Sequence, residues 1–200
     1  MKMPGLLRDY FVVLPDSVAG HTVAGQLPAP EATGAASAPT MTGPASVPTM
    51  TGAASAPTAT GAGTGDVVTV PHPSGRPWVL ARPLFRKVSH LRRGDDALVL
   101  IGPDRVPEAV LAGLLEGARD RAALERRLAR LPGLHHVVAH LSGETWIRGT
   151  ASGLRRIYHA RHPQAGTIAS DRPAVLAHLT GAPWTTARWP CACSTSCRTP

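Results

Sequence analysis

Cysteine is nearly absent from this chain of 200 residues: Cys191, Cys193 and Cys197 are the only copies, and all stand within the last ten positions. The body of the sequence therefore offers no disulfide and no thiolate ligand, which fits a reducing compartment. Lysine is rarer still, Lys2 and Lys87 alone, so the net charge of +8 rests on arginines spread along the chain. Aromatic residues make up only 4%. A nucleic-acid surface needs a clustered basic stripe with interleaved aromatics, so no nucleic-acid partner is expected. Long apolar runs are lacking too. None approaches the roughly 18 residues that cross a bilayer, and Tyr10 to Pro15 is too short for a signal-peptide core. The expectation is a soluble, cytoplasmic chain with no membrane partner.

Glycine and proline, by contrast, number 20 each and are unevenly placed. Between residues 33 and 59 stand three copies of a nine-residue unit, TGAASAPTM, TGPASVPTM and TGAASAPTA. Such a unit has too little apolar surface to offset the entropy of ordering its backbone, and its prolines interrupt helix and sheet alike. It also lacks the periodic large apolar positions of solenoid repeats. Residues 29–65 are expected to form a disordered insertion in a surface loop, tolerable because loop-closure cost grows only logarithmically with length. One folded domain remains, residues 1–28 together with 66–182, followed by an irregular tail, residues 183–200.

Within the domain, Tyr10 to Leu14, Val67 to Val70, Trp78 to Ala81 and Ala97 to Ile101 are short apolar or β-branched runs bounded by Pro, Gly and Asp, and read as strands. Pro107 to Ala118 reads as a helix with Val110, Leu111, Leu114 and Leu115 as its apolar stripe. Asp120 can cap a second helix that buries Leu124, Leu128 and Leu131 and stops at Pro132-Gly133. From Leu131 to Gly181 the order is strand, turn at Ser142-Gly143-Glu144, strand, small-residue reversal at Gly149-Thr150-Ala151-Ser152-Gly153, strand, turn, strand and short helix. Ser170-Asp171 offers side-chain oxygens to the first free amides of that last helix, and Pro173 sits where a missing N–H costs nothing.

This succession resembles the amino-terminal domain of the asparagine synthetase family, in which a strand pair, an Arg-x-x-x-Gly-[Ile/Leu] loop, a strand ending in an aromatic and an Ala-Ser-[Asp/Glu] helix start follow one another. Within that family the lasso peptide cyclases are similar in more detail. Their loop reads much as Arg148-Gly149-Thr150-Ala151-Ser152-Gly153-Leu154-Arg155-Arg156 does, followed by an ending like Tyr158-His159-Ala160-Arg161, and Val70-Pro71-His72-Pro73-Ser74-Gly75-Arg76-Pro77-Trp78 looks like a second shared segment. Tyr10 to Asp16 is a weaker third anchor. The resemblance implies an α+β fold, a four-layer αββα sandwich of the class II glutamine amidotransferase (Ntn) type.

The groups that give such a fold its chemistry are missing. The resembled amidotransferases use a cysteine directly after the initiator methionine, whose freed α-amine is the base for its own thiol. Here Lys2 stands at that place, and the first nine residues contain no Cys, Ser or Thr. The family's Asn-Gly-Glu, which holds glutamine, aligns with Ile101-Gly102-Pro103, leaving a bound substrate's polar groups unpaired. Lasso peptide cyclases share this loss. Their carboxy-terminal domain uses ATP and magnesium to adenylate an Asp or Glu side chain of a precursor peptide, whose α-amine then closes a macrolactam. Its Ser-Gly-Gly-x-Asp-Ser loop has no counterpart here, nor does any Walker A motif. The resemblance therefore implies a truncated ligase, inactive alone, with the lasso precursor peptide and leader-processing proteins as partners of the intact family. Alternatives are a stand-alone amidotransferase-like binding module and a degenerate glutamine-hydrolysing asparagine synthase fragment, the last disfavoured by the absent cysteine and Asn-Gly-Glu.

After Ala182 the texture changes to Trp, Cys, Ser and Arg without apolar period. With G or C at third codon positions, a shifted frame from Pro183 gives VDDGALAVRLLDLLPHP, an acidic start with helical spacing, so the tail reads as out-of-frame translation. The rival reading, a metal or disulfide cluster of Cys191, Cys193 and Cys197, lacks a fourth ligand nearer than His178. His136 and His140 share one face of the strand Leu134 to Leu141, but four residues span roughly 13 Å, too far for one ion. Ser152 does not stand in a Gly-x-Ser-x-Gly elbow. Arg155, Arg156 and Arg161 are expected on the following strand as surface or interdomain contacts, with Ile157 and Tyr158 on opposite faces. No catalytic, cofactor-binding or metal-binding residue is assigned.

Overall fold

Strands that are apolar on both faces need cover on both sides, and three such runs set this architecture. In the computed structural model, which describes residues 9–27, 67–150, 153 and 155–182, strand β1 (Tyr10–Val13) is buried at every position. Helix α1 (Val18–Ala24), β2 (Val68–Pro71), β3 (Pro77–Arg82), β4 (Lys87–Arg93), β5 (Asp96–Gly102), α2 (Glu108–Leu115) and α3 (Arg121–Leu128) follow. Then come β6 (His136–Leu141), β7 (Glu144–Arg148), β8 (Tyr158–His162), β9 (Gly166–Ser170) and α4 (Pro173–Thr180). The fold is α+β. Antiparallel pairing gives a five-stranded sheet ordered β2-β3-β1-β9-β8 and a four-stranded sheet ordered β4-β5-β6-β7.

Because successive strand residues point to opposite faces, the interior divides into three clusters. Phe11 and Val13 of β1, Val79 and Ala81 of β3, and Ala97, Val99, Ile101 and Val138 of β5 and β6 pack between the two sheets. Tyr10, Val12, Leu80 and Ile168 point the other way, against Val23 of α1 and Val175, Leu176 and Leu179 of α4. On the four-stranded sheet, Leu98, Leu100, Val137, Ala139 and Trp146 meet Leu111, Leu114 and Leu115 of α2 and Leu124 and Leu128 of α3. Among the described residues, helices thus cover both outer faces. No helix there is long and apolar enough to cross a membrane.

Local signals operate as expected at several points. Asp120 accepts a hydrogen bond from the Ala123 amide at 2.7 Å and caps α3. Ser142 and Gly143, at φ of 51° and 82°, form the two-residue turn between β6 and β7, matching the strand twist. Other expectations need correction. Val110 is 40% exposed, because the α2 stripe turns it away from the sheet, and Leu131 is only partly buried. The reversal after β7 does not close a hairpin: it carries the chain from the edge of one sheet to the edge of the other, held by Thr150 Oγ1 accepting from the Arg155 amide at 3.2 Å. Arg155 and Arg156 precede β8 rather than lie in it. Helix α4 has Arg172 at its N-cap and no side-chain cap, since Ser170 and Asp171 are engaged elsewhere. The expected insertion, residues 29–65, the tail, residues 183–200 with its cysteines, and Lys2 lie outside the described residues.

Candidate functional site

Strand β1 carries a polar cluster at each end. At its start, Arg86, only 4% exposed, donates from Nε to Asp9 Oδ1 at 3.0 Å and from Nη1 to Asp171 Oδ2 at 2.7 Å. Asp171 Oδ1 accepts from the Phe11 amide at 3.0 Å, and Asp9 Oδ1 accepts from the Leu84 amide at 3.2 Å. Ser170 Oγ donates to the Phe11 carbonyl at 2.6 Å. Arg172 Nε donates to the Asp9 carbonyl at 3.0 Å. Residues far apart in sequence are thereby tied to Asp9 and Phe11 at the start of β1, and this explains why Ser170 and Asp171 leave the helix start uncapped. Burial raises the Asp171 carboxyl above its ordinary value even with Arg86, the largest opposing influence, beside it.

Behind this network the Phe11 ring lies edge-on to His136, with centroids 5.0 Å apart, and the Arg86 guanidinium stands 5.8 Å from the same ring. Burial, then the charges of Arg86 and Arg155, hold His136 down at about 3, so its imidazole is neutral. Neither ring nitrogen of His136 has a hydrogen-bond partner among the described residues, and Nη2 of Arg86 is likewise buried and unpaired.

In front of it opens a cleft of about 420 Å³ lined by Asp9, Arg86, Arg155, Arg156, Tyr158, Asp171 and Arg172. Arg155 and Arg156 are exposed there.

At the far end of β1, the Val70 to Trp78 segment forms the β2–β3 turn, with Gly75 at φ 87°. Its side chains converge on Asp16: Ser74 Oγ donates to Oδ1 at 2.6 Å, Arg76 Nη1 to the same oxygen at 3.1 Å, and His72 Nδ1 lies 3.1 Å from Oδ2. These partners hold Asp16 below the usual carboxylate range, against a burial effect of opposite sign. His72 packs against His140 at 4.5 Å between ring centroids, and His140 Nδ1 lies 2.9 Å from Thr145 Oγ1. Burial, only partly countered by Asp16, lowers His72. His136 and His140 thus face the same inter-sheet space but belong to different ends of it. Among the described residues no group of three His, Cys, Asp or Glu side chains could hold a metal ion.

Sequence reading missed Asp9 and Arg86, weighed His140 only as a metal ligand and took His72 only as part of the Val70 to Trp78 segment. Arg86 carries no local signal, since its partners are 77 and 85 positions away. The Val70 to Trp78 segment and the Asp16 anchor were separately legible, and the structure joins them. Compared with known protein families, with curated proteins and with solved structures, the chain matches none.

Proposed function

We propose that this chain is the amidotransferase-like part of a lasso peptide cyclase, a four-layer αββα sandwich of the Ntn type that braces an ATP-using synthetase domain and hydrolyses nothing itself. The observation that carries the reading is the convergence of its three resembling segments on one strand. Asp16 at one end of β1 binds the Val70 to Trp78 turn, and the arginines that follow Gly149-Thr150-Ala151-Ser152-Gly153 flank the other. A glutaminase of this type needs a nucleophile directly after the initiator methionine, where this sequence has Lys2, and none of the first nine residues is Cys, Ser or Thr. The residues present do not fit magnesium and ATP either: both carboxylates of the cleft are paired with Arg86, and no phosphate loop occurs in the sequence. In the intact family, adenylation of an Asp or Glu side chain and attack by the precursor peptide's amine belong to the other domain.

Reading the locus across codon 183 and translating it in every frame tests this. A continuing frame of several hundred codons with Ser-Gly-Gly-x-Asp-Ser is the expected result; its absence overturns the cyclase reading. The alternative, a free-standing binding or regulatory module, is favoured by one feature, the arginine-lined cleft.

A further inference from the structure

The cleft at the start of β1 combines three features. It has an excess of cationic donors: four guanidinium groups face two carboxylates, a formal surplus of two positive charges. The carboxylates are also already committed, since Asp9 and Asp171 both pair with Arg86 and Asp9 Oδ2 stands 3.8 Å from Arg172 Nη2, so neither pairs with Arg155 or Arg156. Arg155 and Arg156 have no ion-pair partner among the described residues. Finally, a buried donor is left over. The Arg86 side chain is 3% exposed, and its Nη2 has no hydrogen-bond partner. An unpaired buried donor of a charged group is costly, and here it belongs to a residue lining the cleft.

The geometry points to a binding site for a phosphate-type dianion, held by the exposed Arg155 and Arg156 donors beside buried Arg86. A dianion matches the surplus charge, whereas a monocarboxylate leaves one positive charge uncompensated. Planar guanidinium forks suit such oxygens, and the partly buried Tyr158 completes the wall. The other arginine-rich surface, Arg126, Arg127 and Arg130 on and after α3, lacks a buried donor, and Arg127 there is bonded to the Gly113 carbonyl at 2.6 Å. This inference stands independently of the cyclase reading.

The test is calorimetric titration of the full chain at low ionic strength with inorganic phosphate, with a simple phosphomonoester and with L-glutamine. Saturable one-site binding of phosphate or phosphomonoester is expected, weakened about tenfold or more in Arg155→Ala/Arg156→Ala and unchanged in Arg126→Ala/Arg130→Ala. A preference for the phosphomonoester identifies the anion as a group on a larger molecule, and a preference for inorganic phosphate identifies a free ion; both support the site. Absence of saturable binding by either, equal weakening in the two double variants, or tighter binding of L-glutamine overturns it. The substituted arginines are exposed, and an unchanged unfolding midpoint shows that any loss of affinity is local.

Discussion

His136 is a base kept neutral by its surroundings. In the unfolded chain it titrates near 6.5, and in the folded protein at about 3. Between those values the unfolded chain binds a proton that the folded one refuses, so this residue's contribution to stability falls as pH drops below about 6.5 and levels off below about 3. His72, His90 and His159 are lowered in the same direction. Asp171, raised by burial, acts in the opposite sense, since the folded state takes up its proton more readily. Stability from urea unfolding at pH 4.5 is expected to be lower than at pH 7, with His136 alone contributing about 3 kcal/mol. His136→Phe keeps a flat ring against Phe11 and should flatten that dependence; an equally steep profile in the variant would assign the acid sensitivity to other groups.

At the scale of the element, two aspartates next to helix starts have different roles, and their removal separates them. Asp120→Ala forfeits a surface cap, worth about 1 kcal/mol. Asp171→Ala leaves buried Arg86 with one partner instead of two and frees the Phe11 amide, and a loss of about 3 kcal/mol is expected. Equal losses in denaturant titrations would mean that Asp171 is no more than a cap. The same contrast shows what the sequence could reveal. β1, β5 and β6 were legible because a run such as Ala97 to Ile101 is apolar on both faces, and the α3 cap was legible because its partner is three residues away. By contrast, β4 reads as polar, KVSHLRR, and is held in place by its seven-residue register with β5. α1 is short and largely exposed, although Ser17, which accepts from the Gly20 amide at 3.0 Å, was a readable start signal. The pairing of Asp171 with Arg86 is a tertiary fact with no local trace, so Ser170-Asp171 looked like a cap.

Across the whole molecule, the two sheets differ in how they are assembled. The four-stranded sheet takes its strands in sequence order, whereas the five-stranded sheet is centred on β1, which pairs with β3 and with β9. A chain ended at Gly149 would lose β8, β9 and α4, stripping Tyr10, Val12 and Leu80 of their cover by α4 and leaving Arg86 without Asp171. Its thermal melt, followed by circular dichroism, is expected to show no cooperative transition for the complete fold; a melt as sharp as that of the full chain would show that β1 needs no carboxy-terminal partner.

The pairing of β1 with β9 also fixes an order of events during synthesis. Tyr10 to Val13 leaves the ribosome before every other described strand, yet its neighbour Ala169-Ser170 belongs to the last of the described strands to emerge. The strands of the other sheet can meet as they emerge, each beside the one before it. Until residue 170 is translated, an apolar ribbon buried at every position in the finished protein waits with one edge and one face uncovered, the kind of exposed strand on which nascent chains aggregate or recruit chaperones.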